Sequence, residues 1–300
     1  MARRRKKNKT LEFFIFAVLL IIILYSNIST MSHADETDSQ VKEVEINGDL
    51  EVHFLDVGQA DSIMISCMGE FMIIDAGNNA DGTLIVDYLK SLDIDRFKCA
   101  VGTHAHEDHI GGMDDIIDNF SVDNFYMPDV VTTTKTFEDV LDALERANVA
   151  FDTPAVGDKF TLGSANIEVI YVGTNEKDLN STSIVLRLGF GNTSFLFTGD
   201  ATEEVESNIL EKNIEADVLK VAHHGSKYST SWEFLKKVAP KYAVISVGLG
   251  NSYGHPGANV LQRLEKAGIQ VYRTDEVGTI IAKSDGNKIY FETVKTNTNG

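Results

Sequence analysis

The sequence predicts an α/β domain of two packed sheets with helices outside, and two observations carry that expectation. Short runs rich in Ile, Val, Phe and Met alternate with glycine-containing turns, and helical stretches follow strands in both halves of the chain. Six of the eight histidines fall just after strand-like runs, which places a site on one rim of those sheets.

Strands are expected at 50–57, 62–67 and 71–75, separated by the turns Gly48-Asp49 and Gly69-Glu70. Apolar residues at helical spacing predict a helix over 82–92, and a short buried strand at 98–102 leads into THAHEDH (103–109). Helices are expected over 111–119 and 136–147. The second half repeats this grammar. Strands fall at 159–162, 165–171, 182–190 and 193–198, then a helix near 202–212 and a strand at 217–222. A helix near 231–237, a strand at 242–247, a helix near 257–267 and strands at 269–272, 278–283 and 288–293 complete the order. No short repeat period is visible. Residues 45–293 read as one domain, 35–44 as a polar linker and 294–300 as a tail.

Residues 1–34 are set aside as a leader. MARRRKKNK is strongly basic, and Phe13 to Tyr25 is an unbroken apolar run. Such a run is short for a membrane span and right for a signal-peptide core, and Ser32-His33-Ala34 offers a cleavage site. An uncleaved anchor is the alternative, with membrane contact only through residues 1–34. A secreted or cell-surface location is expected. Beyond the leader the chain has 21 basic against 44 acidic residues, net −23. That balance favours solubility and argues against tight nonspecific nucleic-acid binding. Cys67 and Cys99 are the only cysteines, both in apolar runs, so both are expected to be buried. With no Cys-x-x-Cys ribbon, any metal must be held by His and carboxylates.

His104 and His106 leave a strand end in extended geometry, where residues two apart share a side and both imidazoles can reach one ion. Asp108 and His109 follow where the chain turns into a helix, with Gly111-Gly112 letting that turn pack tightly, and they point to a second position. Zinc takes about four N or O ligands at about 2.0–2.2 Å, so two ions rather than one account for this density. Glu107 falls on the other side, toward solvent. Three later strand ends supply more donors: Asp200 after FLFTG, placed to bridge two ions; His223 and His224 after Val218–Ala222; and His255 before Pro256. One of His223 and His224 is expected to bind metal and the other to donate a proton; His223 is assigned to the metal and His224 to catalysis. Gly225-Ser226 is expected to open a helix whose N–H groups and hydroxyl would seat a phosphate. Asn251 and Tyr253 sit where they could line the pocket, although plain loop structure accounts for them equally well. His53 alternates with Val52 and Phe54 and is expected to face solvent, and His33 lies in the leader; neither is given a role.

THAHEDH resembles the His-x-His-x-Asp-His signature of the metallo-β-lactamase fold, and IIDAG (73–77) resembles the aspartate-glycine motif that precedes it. HFLDVGQADSIMI (53–65), NSTSIVLRL (180–188), FLFTGD (195–200), DVLKVAHHGS (217–226), AVISVGLGNSYGHP (243–256) and VYRTDEVGTI (271–280) resemble, in order, the metallo-β-lactamase-like domain of competence DNA-uptake channel proteins. The resemblance implies a four-layer αββα sandwich, two divalent ions and a metal-bound hydroxide that attacks an ester-like centre. Zinc is the default for His-plus-carboxylate donors; manganese or iron could use the same ligands. One departure stands out. A further His found in many members is replaced here by Asn180-Ser181-Thr182-Ser183, so the first ion holds only His104, His106 and Asp200 unless HHGS supplies a fourth donor, as expected.

The expected function is an exported metal-dependent phosphodiesterase or nuclease. Asp108 would orient the water, and the histidine not used as a ligand would protonate the leaving group. The alternative is an esterase acting on cell-wall phosphodiesters such as phosphorylcholine on teichoic acid, whose enzyme shares the HHGS pattern. A non-catalytic scaffold of the same fold is a further alternative, which predicts lost ligands.

Overall fold

Strands that are apolar on both faces decide the layering. In the computed structural model, which describes residues 49–174 and 177–295, the expected strands pair into two large sheets. The leader, the linker and the end of the tail lie outside the described residues. The first sheet has eight strands, ordered Ile289–Val294, Thr279–Ser284, Leu50–Phe54, Ser62–Cys67, Glu70–Ala76, Cys99–Val101, Phe125–Tyr126 and Phe151–Asp152. The second has seven, ordered Gln270–Arg273, Tyr242–Ile245, Val218–Lys220, Thr193–Phe197, Val185–Phe190, Ala165–Tyr171 and Lys159–Leu162.

Three apolar clusters show why these sheets stack. Phe54, Ile65 and Met72 of the first sheet meet Leu186, Phe195 and Phe197 of the second in a core between them. On the outer face of the first sheet, Ile85 and Leu89 of the helix Gly82–Ser91 pack with Val140 and Leu144 of the helix Lys135–Ala147. On the outer face of the second, Val205, Phe234 and Val260 come from the helices Glu203–Ile209, Trp232–Val238 and Ala258–Lys266. The result is the four-layer αββα sandwich, with each layer closing the apolar face of its neighbour. Among the described residues, no helix is long and apolar enough to cross a membrane. Cys67 and Cys99 are buried and unbridged.

Strand direction brings the site together. Thr193–Phe197, Val218–Lys220, Tyr242–Ile245 and Gln270–Arg273 run parallel, as do Glu70–Ala76 and Cys99–Val101. Parallel strands share one carboxyl end, where α/β sheets carry their ligands. The loops after five of these strands therefore open on one rim. The helix expected over 111–119 spans Met113–Asn119, and a separate single turn, Glu107–Ile110, precedes it, the two parted where Gly111 and Gly112 dock on the loop after Glu70–Ala76. Gly111 N–H donates to the Gly77 carbonyl at 2.8 Å and Gly112 N–H to the Ala76 carbonyl at 3.1 Å.

Two expectations are corrected. His53 is buried, not solvent-facing: the sheet face it shares is covered by the helix Gly82–Ser91, whose Tyr88 hydroxyl lies 2.7 Å from His53 Nδ1. Gly225-Ser226 does not open a helix. The chain makes a short 3-10 turn over Ala222–Gly225, and the next helix starts at Trp232, capped by Ser231.

A β-carbon on Gly111 would lie 2.2 Å from backbone atoms of Asn78 and Asn79, a clash that no side-chain motion relieves. Gly111→Ala is therefore expected to lower stability by at least about 2 kcal/mol, the upper range of overpacking costs. Thermal unfolding followed by circular dichroism reads this directly.

Candidate metal centre

The histidine loop is fastened before it reaches the site. The Asp75 carboxylate accepts from Thr103 N–H at 2.7 Å and from Thr103 Oγ1 at 2.8 Å, and it lies 2.8 Å from His109 Nδ1. Asp75 itself is held in left-handed backbone, φ 59°, a conformation that non-glycine residues rarely adopt. His104 Nδ1 rests against Thr103 Oγ1 at 3.2 Å and Ser183 Oγ at 3.5 Å, while His104 Nε2 lies 3.0 Å from His106 Nδ1. His104 and His109 thus each have Nδ1 held from behind and Nε2 turned toward the other donors, the arrangement that orients metal ligands.

Asp200 is the centre of the group. It is buried, and its N–H donates to Ser183 Oγ at 3.1 Å. Its Oδ2 lies 3.9 Å from His104 Nε2 and 3.5 Å from His223 Nε2. Its Oδ1 lies 3.2 Å from His109 Nε2 and 4.0 Å from His224 Nε2. Asp108 Oδ2 closes the second end, 3.2 Å from His224 Nε2 and 4.0 Å from His109 Nε2. Two sets of donors are compact enough to hold an ion, His104 with His109 and Asp200, and Asp108 with His109 and His224. Asp61, Asp75 and His109 form a third such set, but Lys220 Nζ already stands 2.7 Å from Asp61 Oδ2 and supplies the cation there.

The donors fit metal ions on independent grounds. His109 Nε2 and Asp200 Oδ1 are both buried and neither has a hydrogen-bond partner. Buried polar atoms are ordinarily satisfied, and two that face each other at 3.2 Å are satisfied together by a cation. The electrostatics agree. Burial depresses His104 well below the ordinary imidazole range, keeping it in the neutral, ligating form, and the charge on His109 adds to this. Burial, the largest single influence, opposes charge on His109 and His224, but the carboxylates around them together outweigh it, Asp200 first in both, with Asp75 at His109 and Asp108 at His224, so both are raised. Asp200 lies well below the carboxylate range because His109 and His224 outweigh its own burial. The site is a pocket of negative potential that retains positive charge.

His224, expected as the proton donor, is buried, with Nδ1 3.0 Å from the Ser246 carbonyl and Nε2 directed to Asp108. His223 is half-buried beside Asp200. His255 is half-buried, its ring 5.5 Å from that of His223, and its Nδ1 is buried without a partner. Both His223 (φ 51°) and His224 (φ 53°) adopt left-handed backbone. Glu107 is exposed and accepts from Asn79 Nδ2. Tyr253 lines the cleft, a cavity of about 500 Å³ that also includes His106, Asp108, Asp200 and Asn180. Asn251 does not line it; its amide binds the Gly248 and His255 carbonyls and shapes the loop. Ser226 is buried away from the cleft, accepting from Tyr228 N–H.

Sequence inspection passed over Asp75, Ser183 and the Asp61–Lys220 pair as parts of the site. Lys220 left a signal, a lone charge inside the apolar run VLKVA, and in the structure it is buried.

Residues 55–248 match the Metallo-beta-lactamase superfamily. The chain belongs to that superfamily. It is 32% identical over 251 residues to ComE operon protein 3 of Bacillus subtilis (strain 168), covering 77% of this chain and 32% of that protein. It is 30% identical over 229 residues to Competence protein ComA of Neisseria gonorrhoeae, covering 75% of this chain and 31% of that one. The chain thus spans about a third of the length of these curated relatives. Among solved structures, the metallo-beta-lactamase fold protein YhfI from Bacillus subtilis superimposes with a TM-score of 0.54 at 11% identity, covering 79% of this chain and all of that one. That likeness speaks to fold. With clustered His and Asp donors on a fold that typically carries a dinuclear centre, the chain is a metal-dependent hydrolase in its broad class.

Asp75→Asn keeps the size of the side chain but removes the charge that orients His109. It is expected to weaken metal affinity roughly 10- to 100-fold, as loss of an outer partner typically does, with the fold intact. Competition with a chromogenic chelator, alongside circular dichroism, measures both.

Proposed function

We propose that the chain is a phosphodiesterase or nuclease that works with two divalent ions, zinc by default, and acts outside the cell. Asp200 carries the reading: one buried carboxylate addresses a separate histidine pair with each oxygen. His104, His106, His223 and Asp200 Oδ2 would hold one ion, and Asp108, His109, His224 and Asp200 Oδ1 the other. This assignment gives the first ion the fourth donor expected from HHGS. When bound, the ions supply a nucleophilic water at neutral pH and offset negative charge in the transition state. Relatives named for competence and recombination favour a nucleic-acid phosphodiester as substrate. The basic, apolar leader supports export.

The protein groups divide the remaining work. Asp108, pinned by His224, orients the attacking water. His224, expected to be the acid, is better placed as a ligand because the Ser246 carbonyl holds its Nδ1 and its Nε2 faces Asp108 and Asp200. His255 lines the cleft, half-buried, with no carboxylate paired to it and its Nδ1 without a partner, and is placed to pass a proton to a leaving oxygen. A second reading, an esterase for small cell-wall phosphodiesters, is favoured by one observation: a net charge of −23 beyond residue 34 repels long polyanions.

The full-length chain is expected to hold two ions by atomic emission and to hydrolyse bis(p-nitrophenyl) phosphate. His106→Ala should lose metal and lower activity by at least about 100-fold, since a ligand matters no less than its outer partners. A variant with full activity and full metal content would refute the two-ion centre. The roles of two histidines separate cleanly. His224→Ala should lose metal, whereas His255→Ala should keep both ions and lower kcat about 10²- to 10⁴-fold, the usual worth of an acid catalyst.

A further inference from the structure

The loop that follows the strand Tyr242–Ile245 presents one aromatic ring to the cleft in a way its packing does not require. Tyr253 is 72% exposed, yet it is not loose. Asn251 Oδ1 accepts from the N–H groups of Tyr253 at 3.2 Å and His255 at 3.0 Å, and Asn251 Nδ2 donates to the His255 carbonyl at 2.7 Å. The frame is tied down at its base, where Gly248 N–H donates to Gln59 Oε1 at 3.1 Å. It sets the phenol ring nearly parallel to the His255 imidazole, with centroids 5.8 Å apart and planes 24° apart. One face of Tyr253 rests over His255, and the rest of the ring is open to solvent at the edge of the cleft it lines. What sets Tyr253 apart from other exposed side chains is its place: it lines the cleft beside His255, on a loop whose hydrogen bonds fix its backbone.

We propose that Tyr253 is a stacking platform for a single nucleobase, seated on the leaving-group side of the scissile phosphodiester next to His255. The proposal rests on the phosphodiesterase reading and adds the substrate class that the cleft selects. A planar ring is the chemistry that one flat, half-covered aromatic face accepts, and such stacking tolerates any base. A quaternary ammonium group is held instead by several rings arranged as a cage. Among the described residues lining this cleft, Tyr253 is the one phenol or phenyl ring. A single base also escapes the charge penalty that a long polyanion meets on an acidic surface, because it enters as a neutral ring attached to one phosphate.

The test compares a short fluorescent oligomer of thymidine with an abasic oligomer of the same length and charge, using the metal-loaded full chain. Wild type is expected to show a KM roughly 10-fold lower for the thymidine oligomer, within the range that one base–aromatic stack contributes. Tyr253→Ala should collapse that preference to near unity, and Tyr253→Phe, which keeps the ring, should retain it. Metal content and thermal unfolding confirm that each variant is intact. No preference in wild type, or a preference that survives Tyr253→Ala, overturns the subsite. So does a selective loss by Tyr253→Ala on p-nitrophenylphosphorylcholine, which would make the ring a headgroup site. In each case continued hydrolysis of bis(p-nitrophenyl) phosphate leaves the phosphodiesterase reading standing, whereas its absence in wild type removes that reading itself.

Discussion

A carboxylate taken fully out of water is among the more expensive things a fold can do, and Asp200 shows how this one makes it tolerable. Each oxygen faces its own pair of imidazoles, and the backbone N–H is held by Ser183. Isolated ionised carboxylates cannot be buried at that depth; they are paired or they coordinate metal. The strand ends, the glycine docking and the left-handed residues can all be understood as ways of bringing opposite charge to this one group. The two sheets contribute from opposite sides, His104 to His109 from the first and Asp200, His223 and His224 from the second. The site therefore depends on the sandwich being closed.

Behind the donors lies a second tier of charge. Asp75 fixes His109 and Thr103 together, and Asp61 sits 3.6 Å from His224 Nδ1 with Lys220 neutralising it from the far side. Lys220 is fully buried and also donates to the Val221 carbonyl. A buried ion pair adds little net stability compared with apolar packing, but removing one member leaves an uncompensated charge. Its value here is positional, because it keeps a carboxylate beside His224 without offering that carboxylate to the cleft.

Much of this was legible in the chain and some was not, for physical reasons. The strands 62–67, 159–162 and 165–171 fell where short apolar-rich runs between turns put them, because strands covered on one or both faces must carry such runs. THAHEDH, FLFTGD and HHGS announced their chemistry because their residue types have no other economical use. What stayed hidden depended on what packs across. His53 alternates as a solvent-facing residue would, yet Tyr88, 35 residues further along the chain in the helix Gly82–Ser91, covers it. The division of labour among His223, His224 and His255 was equally invisible, since adjacent histidines in a turn point according to backbone angles that spacing does not encode. Ser226 failed in the same way: a serine after glycine reads as a helix start, and only the turn geometry shows otherwise.

The consecutive left-handed residues His223 and His224 carry a consequence for how this protein can change. Each such conformation costs an L-residue roughly 1–2 kcal/mol that glycine would not incur. A sequence selected for robustness alone would replace both with glycine and gain a firmer turn, while giving up its imidazoles. Durability and chemistry pull in opposite directions at these two positions, so a lineage that loses the reaction should drift toward glycine there first.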